Sequence, residues 1–330
     1  MILRLGRSLA LVAVFLNSPA LARNPAELEG SAPTILTGLV RLWTSDFARA
    51  HPAVQVDVPP PYDPPQAALS PRLAAFVMGR LDFAFLSRKM SDSDVRAFRQ
   101  AHHYEPLVIP VAVGSWSSFG LVDPVAVIVN SSNPVRGLTF AQLDAIFSKS
   151  RRRGYPMVRT WGQLGVNSLA DQPIHLAGGA SWAAEDSARA GVFRERVLLG
   201  GAWRDDRQAA GSGTEQEVPA RVAGDPLAIG FTGLGHLVPG TRAVPIAPGR
   251  SSSYVTPTLE TVASGRYPLA RTIDLVVARR PGGCLTPGLR NFVRYLLSAQ
   301  GQRAVSKEGH FLKLTRAQRR LSWLRASSCS

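Results

Sequence analysis

Two short stretches carry side chains suited to holding an oxyanion. Gly30-Ser31-Ala32-Pro33-Thr34 is a small-residue turn just ahead of an amphipathic run, and residues 79–88 read as a strand that ends in Ser87-Arg88. Backbone N–H groups at a helix start, together with small hydroxyls, donate to an anion from several directions. Ser31, Thr34, Ser87 and Arg88 are therefore candidate ligand contacts. The chemistry is capture without bond breaking. Gly179-Ala180-Ser181-Trp182-Ala183 lacks the final glycine of a nucleophile elbow, and no His/Asp partner is placed by sequence. No catalytic residue is assigned, no Cys/His spacing suits a metal, and no cofactor is expected. His102-His103 reads as a solvated polar turn.

The elements that must position these residues alternate between helical and strand patterns, which predicts an α/β class. Leu36, Leu39, Val40, Trp43 and Phe47 share one helical face that ends at His51-Pro52. Val54, Val56 and Val58 alternate as a strand, and Leu73, Phe76 and Val77 mark a second helix. Residues 125–129 form a continuous apolar run, the pattern of a buried strand. Thr139 is placed to cap a helix carrying Leu143, Ile146 and Phe147. Between the two candidate stretches, where a Gly-rich loop would serve an anion, stands Pro59-Pro60-Pro61-Tyr62-Asp63-Pro64-Pro65. Proline has no N–H to donate.

Composition narrows the function. Arg4 and Arg7, an apolar run over residues 9–16 and Ala20-Leu21-Ala22 have the order of a secretory signal, with cleavage expected after about Ala22. That run is too short to span a bilayer, and no later one is longer, so the mature chain is expected to be soluble, exported or periplasmic, and not membrane-spanning. The remainder is long enough for two lobes with full cores. The net charge of +15 is almost wholly arginine, which attracts small anions or anionic surfaces. Nucleic acid is not an expected partner, because no aromatic platform interleaves with the basic runs. Cys284 and Cys329 are either one disulfide or two free thiols.

The order of segments resembles the periplasmic phosphate-binding proteins of high-affinity phosphate ABC importers. The similarity rests on the Gly-Ser turn with its Trp and Phe helix, Asp82…Ser87-Arg88…Met90, Val129-Asn130…Asn133-Pro134 and Leu138-Thr139…Gln142-Leu143…Ile146-Phe147. It continues through Trp161…Leu164-Gly165, Ala228-Ile229-Gly230-Phe231, Pro257-Thr258…Gly265…Tyr267-Pro268-Leu269…Arg271 and Gly301-Gln302…Gly309. The resemblance implies a type II periplasmic-binding-protein fold, two α/β lobes joined by two crossing strands. One lobe would comprise residues 24–126 with 234–330 and the other 127–233, after a signal peptide over 1–22. It also implies a monomer that captures phosphate or a similar small anion between the lobes and delivers it to ABC importer membrane subunits.

Four loops hold phosphate in that family, and this chain departs at several. Thr34, with Ser31 close by, matches the first loop, while the proline cluster replaces the Gly-Ser-rich second. At the third, many members place after the serine an Asp that accepts the proton of hydrogen phosphate. Arg88 stands there, and a guanidinium only donates. The fourth, an Arg ahead of Ser-Gly-Thr, is represented by Ser187-Ala188-Arg189, with Glu185 and Asp186 just before it. Ser187 and Arg189 complete the candidate contacts; Ser212-Gly213-Thr214 reads first as a helix cap. The alternative function is an envelope component for sensing, adhesion or scaffolding whose anion pocket is lost or altered.

Overall fold

The computed structural model describes residues 27–60, 71–116, 118, 121–178, 188–204 and 217–329. The expected leader, the proline cluster from Pro61 onward, Ser181, Ser187 and Ser212-Gly213-Thr214 lie outside the described residues. The early strands are β1 (Glu27–Ser31), β2 (Gln55–Asp57), β3 (Phe83–Leu86) and β4 (Leu107–Val113). A second group comprises β5 (Val125–Asn130), β6 (Leu138–Thr139), β7 (His175–Ala177), β8 (Ala228–Gly233), β9 (Thr241–Ala243) and β10 (Ile246–Ala247). The last strand is β11 (Thr272–Val277). The helices are α1 (Thr37–Ala50), α2 (Pro71–Val77), α3 (Asp92–His102), α4 (Phe140–Phe147) and α5 (Ala188–Arg196). After them come α6 (Glu217–Gly224), α7 (Leu259–Ala263), α8 (Pro287–Leu296), α9 (Ala299–Glu308) and α10 (Arg316–Ser327).

The first sheet has the order β2-β1-β3-β11-β4. β1 runs parallel to β2 and β3, while β11 inserts antiparallel between β3 and β4. Strands from both ends of the chain thus share one sheet. The apolar stripe of α1 explains how the ends are held. Leu39, Val40, Trp43 and Phe47 are all buried, and burying each large side chain contributes roughly 2–3 kcal/mol. The Trp43 indole donates to the carbonyl of Gly301 at 2.8 Å, and Phe47 packs edge-on to Phe292 with centroids 5.1 Å apart. The helix stops where expected: His51 N–H still bonds the Phe47 carbonyl, and Pro52 has no N–H to continue.

The second sheet has the order β7-β8-β5-β9. Its centre is the antiparallel pair β5 and β8, with Val125 opposite Gly233. All six residues of β5 are buried, which accounts for its unbroken apolar sequence. β9 pairs with β5 and β10 with β6, so the chain stays with these strands through Ala247, past the expected return at 233. Thr139 caps α4 as its sequence suggests. Its hydroxyl accepts from Gln142 N–H, and the Gln142 side chain accepts from Thr139 N–H, a reciprocal arrangement contributing about 1 kcal/mol.

The choice left open for the cysteines resolves as a disulfide. Cys284 and Cys329 are bonded, with Cα atoms 5.0 Å apart. The bond fastens the end of α10 to the segment ahead of α8. Arg279 reinforces it by donating to the carbonyls of Arg325, Ala326 and Ser328, a cation set against a helix C-terminus.

Candidate functional site

β1 and β3 are parallel neighbours, with Ser31 opposite Ala84, so both strands end at one edge of the first sheet. Ser31 closes β1 and is buried; Thr34 opens the single turn Thr34–Leu36 and is exposed. Ser87 follows β3 at the same edge. The carboxyl ends of parallel strands are where open α/β sheets take ligands; Ser31 and Ser87 stand at two such ends, with Thr34 three residues beyond Ser31.

A charged hub lies beside this edge, where β5 and β8 begin and end. Asp123, fully buried just before β5, accepts from Arg189 Nη2 at 2.8 Å and from Gly235 N–H at 2.9 Å. Its backbone carbonyl accepts from Arg271 Nη1 at 3.4 Å, and Arg271 Nη2 donates to the Ser87 carbonyl at 2.8 Å. Arg189 Nη2 also stands 3.0 Å from His236 Nε2. A guanidinium only donates, so His236 accepts there as the neutral ring with its proton on Nδ1. Arg271, His236 and Asp123 are all buried, and the Arg189 side chain is 12% exposed.

The local sequence allows this crowding. A Cβ at Gly233 would sit 2.2 Å from Asp123 Oδ2 and 2.5 Å from Arg189 Nε, so only glycine fits beside the pair. Arg189 is the second residue of α5, where the helix dipole disfavours a cation. The Asp123 carboxylate offsets that. The buried hydroxyl of Tyr267 donates to the Val125 carbonyl at 2.9 Å and fixes the start of β5. Burial holds that phenol far above its ordinary pKa, so it remains a donor.

Arg88 is committed elsewhere. Its Nη1 donates to Asp94 Oδ2 at 2.7 Å and to the Lys89 carbonyl at 2.9 Å. Asp94 is the third residue of α3, and its carboxylate also accepts from Ser91 N–H within the capping box. The side chain expected to face an anion is thus built into a helix start. Arg189 is placed with the hub, and Ser187, one residue before the start of α5, lies outside the described residues. Asp123 and His236 had no sequence signal, since each acts through partners distant in the chain. Arg271 did have one, in the Tyr267-Pro268-Leu269…Arg271 run. Among the described residues no group of three His, Cys, Asp or Glu side chains could hold a metal ion. No helix there is long and apolar enough to cross a membrane.

Comparison with known proteins places this architecture. The family described as a PBP superfamily domain matches residues 18–300. The phosphate-binding protein PstS of Pseudomonas aeruginosa is 31% identical over 279 residues, covering 83% of this chain and 79% of that protein. Among solved structures, PstS from Borrelia burgdorferi superposes with a TM-score of 0.53 at 16% identity, covering 88% of this chain and 99% of that one. An ABC-type phosphate transport receptor from Vibrio cholerae gives 0.51 at 18% identity, covering 86% and 99%. These two likenesses show the two-lobe fold. By its sequence the chain belongs to the PBP superfamily and, within it, to the family of the PstS phosphate-binding proteins.

Proposed function

We propose that this protein is an exported solute-binding protein that captures phosphate or a related oxyanion in the cleft between its lobes. The observation that carries the reading is the hub, where the Arg189 guanidinium bonds the Asp123 carboxylate and the buried Arg271 bonds the carbonyls of Asp123 and Ser87, beside the edge at which β1 and β3 end. Guanidinium groups held beside the carboxyl ends of parallel strands give that edge a positive potential that favours an anion. Thr34 and Ser87 supply hydroxyls, Ser31 lies within the same turn, and Arg189 approaches from α5, with Ser187 just before it in sequence. Capture is reversible and involves no chemistry. The lobes, one built around β1 to β4 with β11 and the other around β5 to β9, close on the ligand as a hinge. The closed form is what the membrane subunits of an ABC importer read. The protein acts as a monomer, away from nucleic acid and outside the membrane.

Titration calorimetry of the folded, ligand-stripped chain with phosphate, sulfate and methylphosphonate tests the reading. Heat with at least phosphate is expected, and absence of heat with all three overturns it. A second reading, an envelope component whose pocket no longer takes an anion, is favoured by one feature. The guanidiniums of Arg88 and Arg189 already bond Asp94 and Asp123. The same titration decides between the two.

A further inference from the structure

We propose that a cavity walled by the first sheet, the start of α3 and α5 is a second ligand site, for a small organic anion that also carries an amino or hydroxyl donor. The cavity has a volume of about 810 Å³ and lies between the first sheet, the start of α3 and the flank of α5. That size suits a small organic molecule and is far larger than an inorganic oxyanion requires. Its floor follows from strand register. Asp274 on β11 is opposite Leu86 of β3 on one side and Pro110 of β4 on the other, so all three side chains leave the same face. Ser31, Thr34, Ser87 and Arg189 do not line it, whereas Arg88 and Ala188, the chain neighbours of Ser87 and Arg189, do.

Two features ask for a ligand with two kinds of group. Asp274 is 4% exposed, and its Oδ1 has no hydrogen-bond partner. A buried acceptor left unmatched is unfavourable by the desolvation of that oxygen. Burial also pushes its carboxyl above the ordinary aspartate range, against the opposing pull of Thr272, Lys89, Arg196 and Arg325. A donor placed on Oδ1 would relieve this. The same cavity is lined by the partly buried Arg196 and the exposed Arg325. Arg196 Nη1 donates to the carbonyls of Pro268 and Ala270. The charge on Arg196, with the positive potential of Arg325 beside it, favours an acid group.

An inorganic anion would answer the arginines and leave Asp274 unmatched. A carboxylate or phosphonate bearing an amino or hydroxyl group answers both. Two ion pairs between lining residues join its α3 and α5 walls, Lys89 to Glu195 at 2.5 Å and Asp92 to Arg194 at 3.8 Å. A ligand inside would therefore be enclosed from both lobes.

The test uses the full mature chain saturated with phosphate, so that the cleft site is held constant. Calorimetry compares aminomethylphosphonate with methylphosphonate, and glycolate with acetate. The donor-bearing probe of at least one pair is expected to bind about tenfold tighter than its donor-free partner, the cost of one unmatched buried group. Asp274→Leu is expected to remove that preference. Asp274→Asn, which keeps the shape and an acceptor oxygen, should remove preference for the amine while keeping preference for the hydroxyl. Arg325→Gln should weaken every probe that binds. No binding by any probe, equal binding within both pairs, or preferences that survive both Asp274 variants would overturn the proposal.

Discussion

Arg189 and Asp123 lie 66 residues apart in the chain and meet through a 2.8 Å bond from Nη2 to Oδ1, beside the paired ends of β5 and β8 at Val125 and Gly233. On the proposed reading, this carboxylate both stabilises the ligand-free protein and competes with a bound anion for the guanidinium.

Asp123→Asn separates those two effects. The substitution keeps the shape but leaves Arg189 and Arg271 without this negative charge, at a cost of about 3–5 kcal/mol of stability. Phosphate should restore more of that loss than it adds to the parent protein. Thermal melts with and without saturating phosphate measure both. A phosphate-induced rise in Tm that is equal in the two proteins would show that Asp123 and the ligand do not share the hub.

Arg88→Ala should behave differently. The side chain is 23% exposed and bonded to an Asp94 that is 2% exposed, so its loss should lower stability by about 1–2 kcal/mol. Asp94 keeps its bond from Ser91 N–H, which limits the damage. Phosphate affinity should stay within about twofold of the parent value, well under 1 kcal/mol. A drop of tenfold or more would return Arg88 to the cleft.

The contrast between Arg88 and Arg189 shows where sequence reading reaches and where it stops. Local patterns were legible: the stripe of α1, the buried run of β5 and the Thr139 cap each depend on neighbours within a few residues. The candidate hydroxyls Ser31, Thr34 and Ser87 came from the order of segments. The partner of each guanidinium was not. Arg88 finds its carboxylate six residues away across a helix start, and Arg189 finds one in another element altogether. Type and spacing give both arginines the same chemistry, and only tertiary contacts assign them different tasks. Gly233 illustrates the same limit, because its need to be glycine arises from Asp123 and Arg189 pressing on it from elsewhere.

Reduction of the Cys284–Cys329 bond tests how far the end of the chain supports the first lobe. The bond closes a loop with a sequence separation of 45, and loss of that constraint from the unfolded chain should cost about 4 kcal/mol. Melts with and without reductant, or of a double Cys→Ser variant, should show Tm falling by several degrees. An unchanged Tm would mean that α10 is held by packing and the Arg279 bonds alone.

Asp274 offers a sharper test, because its effect should change with pH. Burial raises its carboxyl above the ordinary value of 3.8, so the native state binds the proton more tightly than the unfolded chain. Stability from this group is then fully present below 3.8 and is lost as pH rises through the raised folded value. Asp274→Asn mimics the protonated form at every pH. The variant should match the parent at about pH 3.5 and exceed its stability at about pH 7.5, the gap opening between those limits. Urea denaturation of both proteins at several pH values gives the difference directly, with contributions from other carboxylates such as Asp144 cancelling between them. A variant less stable than the parent at neutral pH would mean that the ionised carboxylate is a net stabilising partner of Arg196 and Lys89, with its burial already compensated.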